Sequence, residues 1–472
     1  MSHDIVLKNG LVVTPNGVIR GGIAVEGEQI VAVGASSELG QAKREIDVEG
    51  KILFPGTFDP HVHFGISDRF GDEAMVEDFL RDTKDCLIGG VTTIATTTLI
   101  GKDPMLDLFD QAVECGTNHS WCDFKVTCVV NTLDQVAQIP AVAAKGGVSY
   151  KFFTGYSGPQ AEAFGMNPDG ITPSFFHAAC EQLAHCGPPT FAKIHAEDPH
   201  VRGILIDRLR EMGRADQLTA WAESSPEWAE SVQVYTYGMI ANQLRVPIYP
   251  VHISAAHTVE TVKRLHAEGL NIVGETVACF LNTTAPEMDA HGMGGKAKIQ
   301  PPIRFEKDKE RLWRGLQEGT LSVVGTDSLT YSSSFKTDGD FWDCRVGINL
   351  QVADTLPLLF HEGVNKGRLD LVTLSKVLSE NAAKLYGLYP KKGALAIGSD
   401  ADIVVLDPEK EAVLGVDRMR SRADYSLWEG RQVKGIPVKT FLRGQLVMED
   451  GEIVAEQPSG RFVEQVVRPR GL

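Results

Sequence analysis

No stretch of the chain approaches the ~20 consecutive apolar residues that a membrane-spanning helix needs, so a membrane protein of that kind is not expected. Lys/Arg-rich runs are also missing, and with a formal net charge of −16 the chain offers no basic footprint for nucleic acid. There is no CxxC. The eight cysteines, at 86, 115, 122, 128, 180, 186, 279 and 344, are scattered. In a chain this long they read as reduced thiols of a cytosolic protein. The opening "MSHDIVLKNG" lacks the basic start and apolar run of a secretory leader.

What is present reads as a soluble globular protein, with 43% hydrophobic and 23% charged residues. A length of 472 residues exceeds the roughly 250 to 300 that one core supports, so one large domain and a smaller one are expected. The first fifty residues carry short β-rich runs separated by NG, PNG, GG and EGE, which are hairpin signals. The same texture returns in "ADIVVLDPEK" and "KTFLRGQLVMEDGEIV". Residues 1–53 and 391–455 are therefore expected to form one small β-sandwich domain from both chain ends. Residues 456–472 read as a tail lying on something else, for which a neighbouring subunit is one possibility.

Between them, residues 54–390 alternate strand-like and helix-like pieces. The strand segments are "ILFPGTFD", "VTTIATTT", "FKVTCVVN", "VSYKFF", "TFAKIHA", "PIYPVHIS", "NIVGETV" and "LSVVGTD". Eight β units alternating with helices predict an α/β fold, a (β/α)8 TIM-like barrel. An open doubly wound sheet is the alternative, and the missing GxGxxG at the first βα turn argues against it. One helical pair interrupts the alternation, with Ser225 expected to cap a helix that has Pro226 at its first position.

A barrel places its chemistry at the C-terminal ends of its strands. The first strand ends in "DPHVHFG", with Asp59, His61 and His63; residues i and i+2 of a strand share one side, so the two imidazoles can hold one metal ion. Alone, such a pair reads equally as two loop histidines facing water. The fourth strand carries Lys151, the fifth ends in His195, the sixth in His252 and the eighth in Asp327. Four histidines, a carboxylate and a lysine at successive strand ends are a metal-binding constellation. Lys151 belongs in it if its amine has reacted with CO2 to give a carbamate, an anion able to bridge two metals. The other reading of Lys151 is an ion pair at the barrel mouth.

The motifs "DPHVHF", "YKFFTGY", "KIHAED", "VHIS", "QPPIR", "GTDS" and "SENAAKLYGLYPKKGALAIGSDADIVVLDP" resemble the dihydropyrimidinase and hydantoinase group of the amidohydrolase superfamily over nearly the whole chain. The resemblance implies hydrolysis of a small cyclic amide at two divalent ions, zinc above all, and a homotetramer or homodimer. His61, His63 and Asp327 would hold one metal, His195 and His252 the other, and carboxylated Lys151 would bridge them, with Asp59 behind the site. Tyr156 would hydrogen-bond the developing oxyanion, Asp327 would carry the proton, and the loop "FGISDRFGDEA" would cover the site.

Several positions depart from the group's pattern. Gln300 stands for a serine that meets the substrate through its main chain. A substrate-touching Asn-Gly falls on either Gly347 or Asn349, depending on how the region is aligned. Arg345 is unexpected and reads either as a surface ion pair or as a contact to a carboxylate on a nonstandard substrate. Allantoin is an alternative ring. Dihydroorotate is disfavoured because Gly65 stands where that group has arginine. A non-catalytic scaffold related to dihydropyrimidinase is disfavoured because every ligand position is kept.

Overall fold

The computed structural model describes residues 2–68, 70–214, 217–349 and 352–465. Eight parallel strands form a TIM-like barrel: Thr57–Ser67, Val91–Thr97, Asp123–Val129, Ser149–Phe153, Phe191–His195, Ile248–Pro250, Gly274–Val277 and Leu321–Gly325. Every residue of the second and third strands is buried, as expected of parallel strands with helices outside and side chains filling the inside. Two joins close the ring. Val273 N donates to Ile248 O at 2.9 Å between the sixth and seventh strands. Asp327 N donates to His61 O at 2.9 Å between the eighth and the first.

The helices between the strands follow from their apolar periodicity and end signals. Glu306–Glu318 buries Leu312, Trp313 and Leu316 on one face, and stops at Gly319, whose φ of 74° closes the last turn in a left-handed cap. Leu133–Ala144 starts from a reciprocal Thr132–Gln135 capping box. The helix expected to be capped by Ser225 runs Glu227–Gln243 with Pro226 at its N-cap and no side-chain cap. Ser225 Oγ donates instead to the Glu197 carboxylate, because that acceptor is fully buried, where an unpaired oxygen would be costly. No helix among the described residues is long and apolar enough to cross a membrane.

Both chain ends join one nine-stranded sheet with its own core of Leu7, Val12, Ile23, Leu53, Ile403 and Phe441. The segment read as one strand from "ILF" to "TFD" is two. Ile52–Pro55 belongs to this sheet, parallel to His3–Thr14 and antiparallel to Ile403–Val413, and the barrel strand starts at Thr57.

Beneath the barrel, buried Lys392 lies 2.6 Å from Asp123, 2.9 Å from Asp400 and 2.7 Å from Asp402. Arg443 also pairs with Asp123. This cluster ties the first residue of the third barrel strand to the terminal sheet. The tail, in its described part to Gln465, lies on the chain's own third barrel strand: Phe124 N donates to Arg461 O and Val463 N to Phe124 O, at 2.9 and 3.0 Å. Residues 466–472 lie outside the described residues.

Candidate active site

The first barrel strand delivers His61 and His63 to the same side, with Nε2 atoms 3.2 Å apart. Asp327 Oδ1 stands 3.1 Å from His61 Nε2 and 3.0 Å from His63 Nε2. Lys151 Nζ is 3.2 Å from His61 Nε2. His195 and His252 face each other with ring centroids 4.5 Å apart, and His252 lies 5.5 Å from His61. All six side chains are buried. The constellation expected from the strand ends is thus brought together. His257, which follows the sixth strand closely, is exposed on the helix Ala256–Ala267 and stands outside this group.

The electrostatics favour ligand forms. Burial pushes all four histidines below their ordinary pKa, so the imidazoles are neutral with lone pairs to offer. Burial, aided by the charge of Lys193, lowers Lys151 to about 7, so its amine loses its proton easily. The neutral amine is the form that reacts with CO2. His252 Nδ1 is a buried nitrogen with no hydrogen-bond partner among the described residues. A closed set of neutral nitrogens and a carboxylate, gathered around an amine, fits divalent ions such as zinc.

The histidines among the ligand candidates are held from behind. Glu275 Oε1 accepts from His61 Nδ1 at 2.7 Å and from His252 N at 3.1 Å, while Tyr249 OH donates to its other oxygen. Glu197 Oε2 lies 3.0 Å from His195 Nε2, which leaves Nδ1 for the pocket. Burial alone would raise the Glu197 carboxyl, but Arg202 and His195 hold it down at about 2. Thr97 Oγ1 lies 3.2 Å from His63 Nδ1. Asp59, expected behind the site, accepts from His61 N at 3.0 Å and from Thr326 Oγ1 at 2.6 Å, and burial raises it to about 6. Imidazoles oriented by such partners are what metal ligation requires.

Close approach shapes the backbone as well. A Cβ on Gly155 would sit 2.5 Å from the His195 ring, and one on Gly325 would sit 2.9 Å from the Glu275 carboxylate. His252 and Asp327 adopt φ of 42° and 54°. For a non-glycine residue this costs on the order of 1 kcal/mol, a strain typical of functional positions.

The pocket in front of these groups is lined by His63, Lys151, Tyr156, His195, His252 and Asp327, with Phe153, Gln300, Tyr331 and Gly347 among its other walls. Tyr156 packs its ring 5.1 Å from His195. Of the two positions left open by alignment, Gly347 lines the pocket and Asn349 does not. The Asn349 amide nitrogen donates to Tyr425 O at 2.8 Å. Arg345 makes no ion pair among the described residues and stands among phenylalanine rings at the pocket's edge.

Glu275, Glu197, Lys193, Tyr249 and Thr97 were not singled out from the sequence. Glu275 had one signal, a lone acid inside the apolar strand "NIVGETV". Lys193 had another, lying two residues before His195 on the same side of its strand, where its Nζ donates to Pro60 O at 2.7 Å.

The profile of the Amidohydrolase family matches residues 250–447. An L-hydantoinase of Paenarthrobacter aurescens is 30% identical over 468 residues, covering 98% of both chains. A dihydropyrimidinase of Dictyostelium discoideum is 28% identical, covering 97% of this chain and 90% of its own. The crystal structure of a dihydropyrimidinase from Brevibacillus agri superposes with a TM-score of 0.88 at 27% identity, over 99% of each chain. With barrel, strand-end histidines and full-length similarity in agreement, the chain belongs to the dihydropyrimidinase and hydantoinase group of the amidohydrolase family.

Proposed function

We propose that this protein is a metal-dependent hydrolase that opens a cyclic amide, such as a dihydropyrimidine or a hydantoin, to an N-carbamoyl amino acid or a similar product. The observation that carries the reading is the convergence of His61, His63 and Asp327 ligand atoms within 4.8 Å of one another, beside Lys151. His61, His63 and Asp327 would hold one ion, His195 and His252 a second, and a carbamate on Lys151 would join them. The donor set favours zinc. When bound, two such ions lower the pKa of water and polarise a carbonyl.

The chain's own residues do the rest. The Tyr156 hydroxyl, kept protonated because burial raises its pKa, donates to the oxygen on which charge develops. Asp327 accepts a proton from the attacking water and returns it to the departing ring nitrogen. Gln300 and Gly347 border the ring, and the apolar walls exclude competing water.

A homodimer or homotetramer is part of the same reading. It is supported by Trp228, Val232 and Met239, which are exposed on one helix at spacings that place them along a common face. A cytosolic location is supported by eight free cysteines.

Asp327→Asn tests the assignment. Ring opening should fall to background while His61 and His63 keep much of the metal, as read by elemental analysis. Near-normal turnover in this variant would remove Asp327 from the proton path.

A further inference from the structure

We infer that Arg345 selects ring substrates bearing a carboxylate on a short substituent, acting from a vestibule just outside the reacting pocket. This rests on the ring-opening reading above and adds the chemistry of the substituent.

The guanidinium of Arg345 lies 5.6 Å from the Phe70 ring, 5.4 Å from Phe164 and 5.6 Å from Phe335. Among the described residues it has no carboxylate within ion-pair distance and no side-chain hydrogen bond. Arg202, Arg304 and Arg368, by contrast, each pair with a glutamate. Aromatic faces attract the cation but cannot accept in-plane hydrogen bonds from its five N–H donors. Those donors therefore await an acceptor that the described residues do not supply.

The space beside it is suited to a substituent. A cavity of 200 Å3 is lined by Ile66, Phe70, Leu99, Ile100 and Phe164 together with Gly65 and Gly71. Ile66, Ile100 and Phe164 also line the reacting pocket, so these three side chains border both spaces. A group attached to a ring held at Lys151 and Asp327 would leave between these side chains and reach the guanidinium. Apolar walls strengthen a charged contact made there, and the guanidinium fork matches a carboxylate.

The loop that carries Arg345 is built, not loose. Lys336 Nζ donates to Arg345 O at 2.8 Å, to Gly347 O at 2.5 Å and to Lys298 O at 2.7 Å. Lys298 Nζ donates to Phe341 O, Trp342 O and Cys344 O at 2.7, 2.8 and 2.9 Å. Neither lysine has a carboxylate within ion-pair distance among the described residues. Of the nearby acids, Asp343 pairs with Arg210, and Asp68 accepts from Ser332 N at 2.9 Å. Burial lowers Lys336 to about 7 and Lys298 to about 8, and both spend their N–H donors on backbone carbonyls, so they build the loop while Arg345 offers the charge to an anion.

The test compares 5-(2-carboxyethyl)hydantoin with its isosteric carboxamide on zinc-loaded wild type, Arg345→Met and Arg345→Lys. Both kcat/KM and equilibrium binding are measured. Wild type should prefer the carboxylate. Arg345→Met should lower the carboxylate-to-carboxamide ratio about 10- to 100-fold, chiefly through KM, as expected for a charged hydrogen-bond pair. Arg345→Lys, with the charge but not the fork, should fall between. A wild-type enzyme without the preference, or a preference that survives Arg345→Met, overturns the inference. Binding with the expected preference but no ring opening supports it and counts instead against the proposed reaction. If neither ring binds, the inference fails.

Discussion

Replacing Glu275 by glutamine should loosen the metal site without touching a ligand. Glu275 is fully buried, and one of its oxygens serves both His61 Nδ1, at 2.7 Å, and His252 N, at 3.1 Å. It therefore aims the His61 imidazole directly and holds the backbone of His252, one residue from each half of the proposed binuclear site. Glutamine keeps the volume and one acceptor, but it removes the charge that makes the imidazole more basic. It also turns an NH2 toward the Tyr249 hydroxyl, which now donates to that side of the carboxylate. Loss of such an orienting partner typically costs 10- to 100-fold in metal affinity, about 1.4 to 2.7 kcal/mol. The assay is competition against a chelating dye at fixed pH, followed by ring opening at saturating zinc. Affinity should fall by that factor, and excess metal should restore part of the turnover. Affinity within about twofold of wild type would refute the view that Glu275 positions the ligands.

Further predictions concern the rest of the molecule. Tyr156→Phe should lower kcat by about 10²- to 10³-fold with little change in KM, as loss of an oxyanion donor does; a large KM effect with kcat intact would make Tyr156 a binding group only. Lys392→Met should destabilise the fold by about 3 to 5 kcal/mol in urea unfolding, because Asp123, Asp400 and Asp402 lose the ammonium they share. A loss under about 1 kcal/mol would mean the cluster is relieved by protonation. Asp354 is fully buried, with Arg418 Nε 3.8 Å away and no hydrogen bond among the described residues, and burial raises its carboxyl to about 7. A raised carboxyl holds its proton longer in the native state than in the unfolded one. Its contribution to stability is thus lost as pH climbs from the unfolded pKa, about 4, through about 7. Asp354→Asn should match wild type near pH 4 and exceed it at pH 8 by up to a few kcal/mol, because each tenfold gain in proton affinity on folding is worth about 1.4 kcal/mol. Equal thermal midpoints at pH 8 would exclude the effect.

Much of the site was legible because strand geometry is simple. His61 and His63 are two apart on a strand, and the other groups stand at the ends of strands whose order in the barrel follows the sequence. The supporting shell was harder to see. Glu197 looks like one more polar residue in "KIHAED", and only the fold brings Ser225, Arg202 and His195 around it. The Ser225 cap failed for the same reason: a local preference gave way to a distant buried acceptor. Gly347 and Asn349 were inseparable because loops carry no period of two or 3.6 to fix their register. Arg345 was visible as an oddity, yet its aromatic surroundings come from Phe70, Phe164 and Phe335, far apart in the chain. The split at residues 55 to 57 has no mark in the sequence, because the apolar run continues across it while the chain changes sheets.

The most direct test of the central claim is ring opening by protein loaded with zinc in the presence of bicarbonate, with bound metal counted on the same sample. The panel holds dihydrouracil, hydantoin, 5-substituted hydantoins with neutral and carboxylated side chains, allantoin and cyclic imides. The account predicts two metal ions per chain and turnover of at least one cyclic amide, lost on chelation and restored by metal. Protein that holds two ions per chain and opens none of these rings would contradict it.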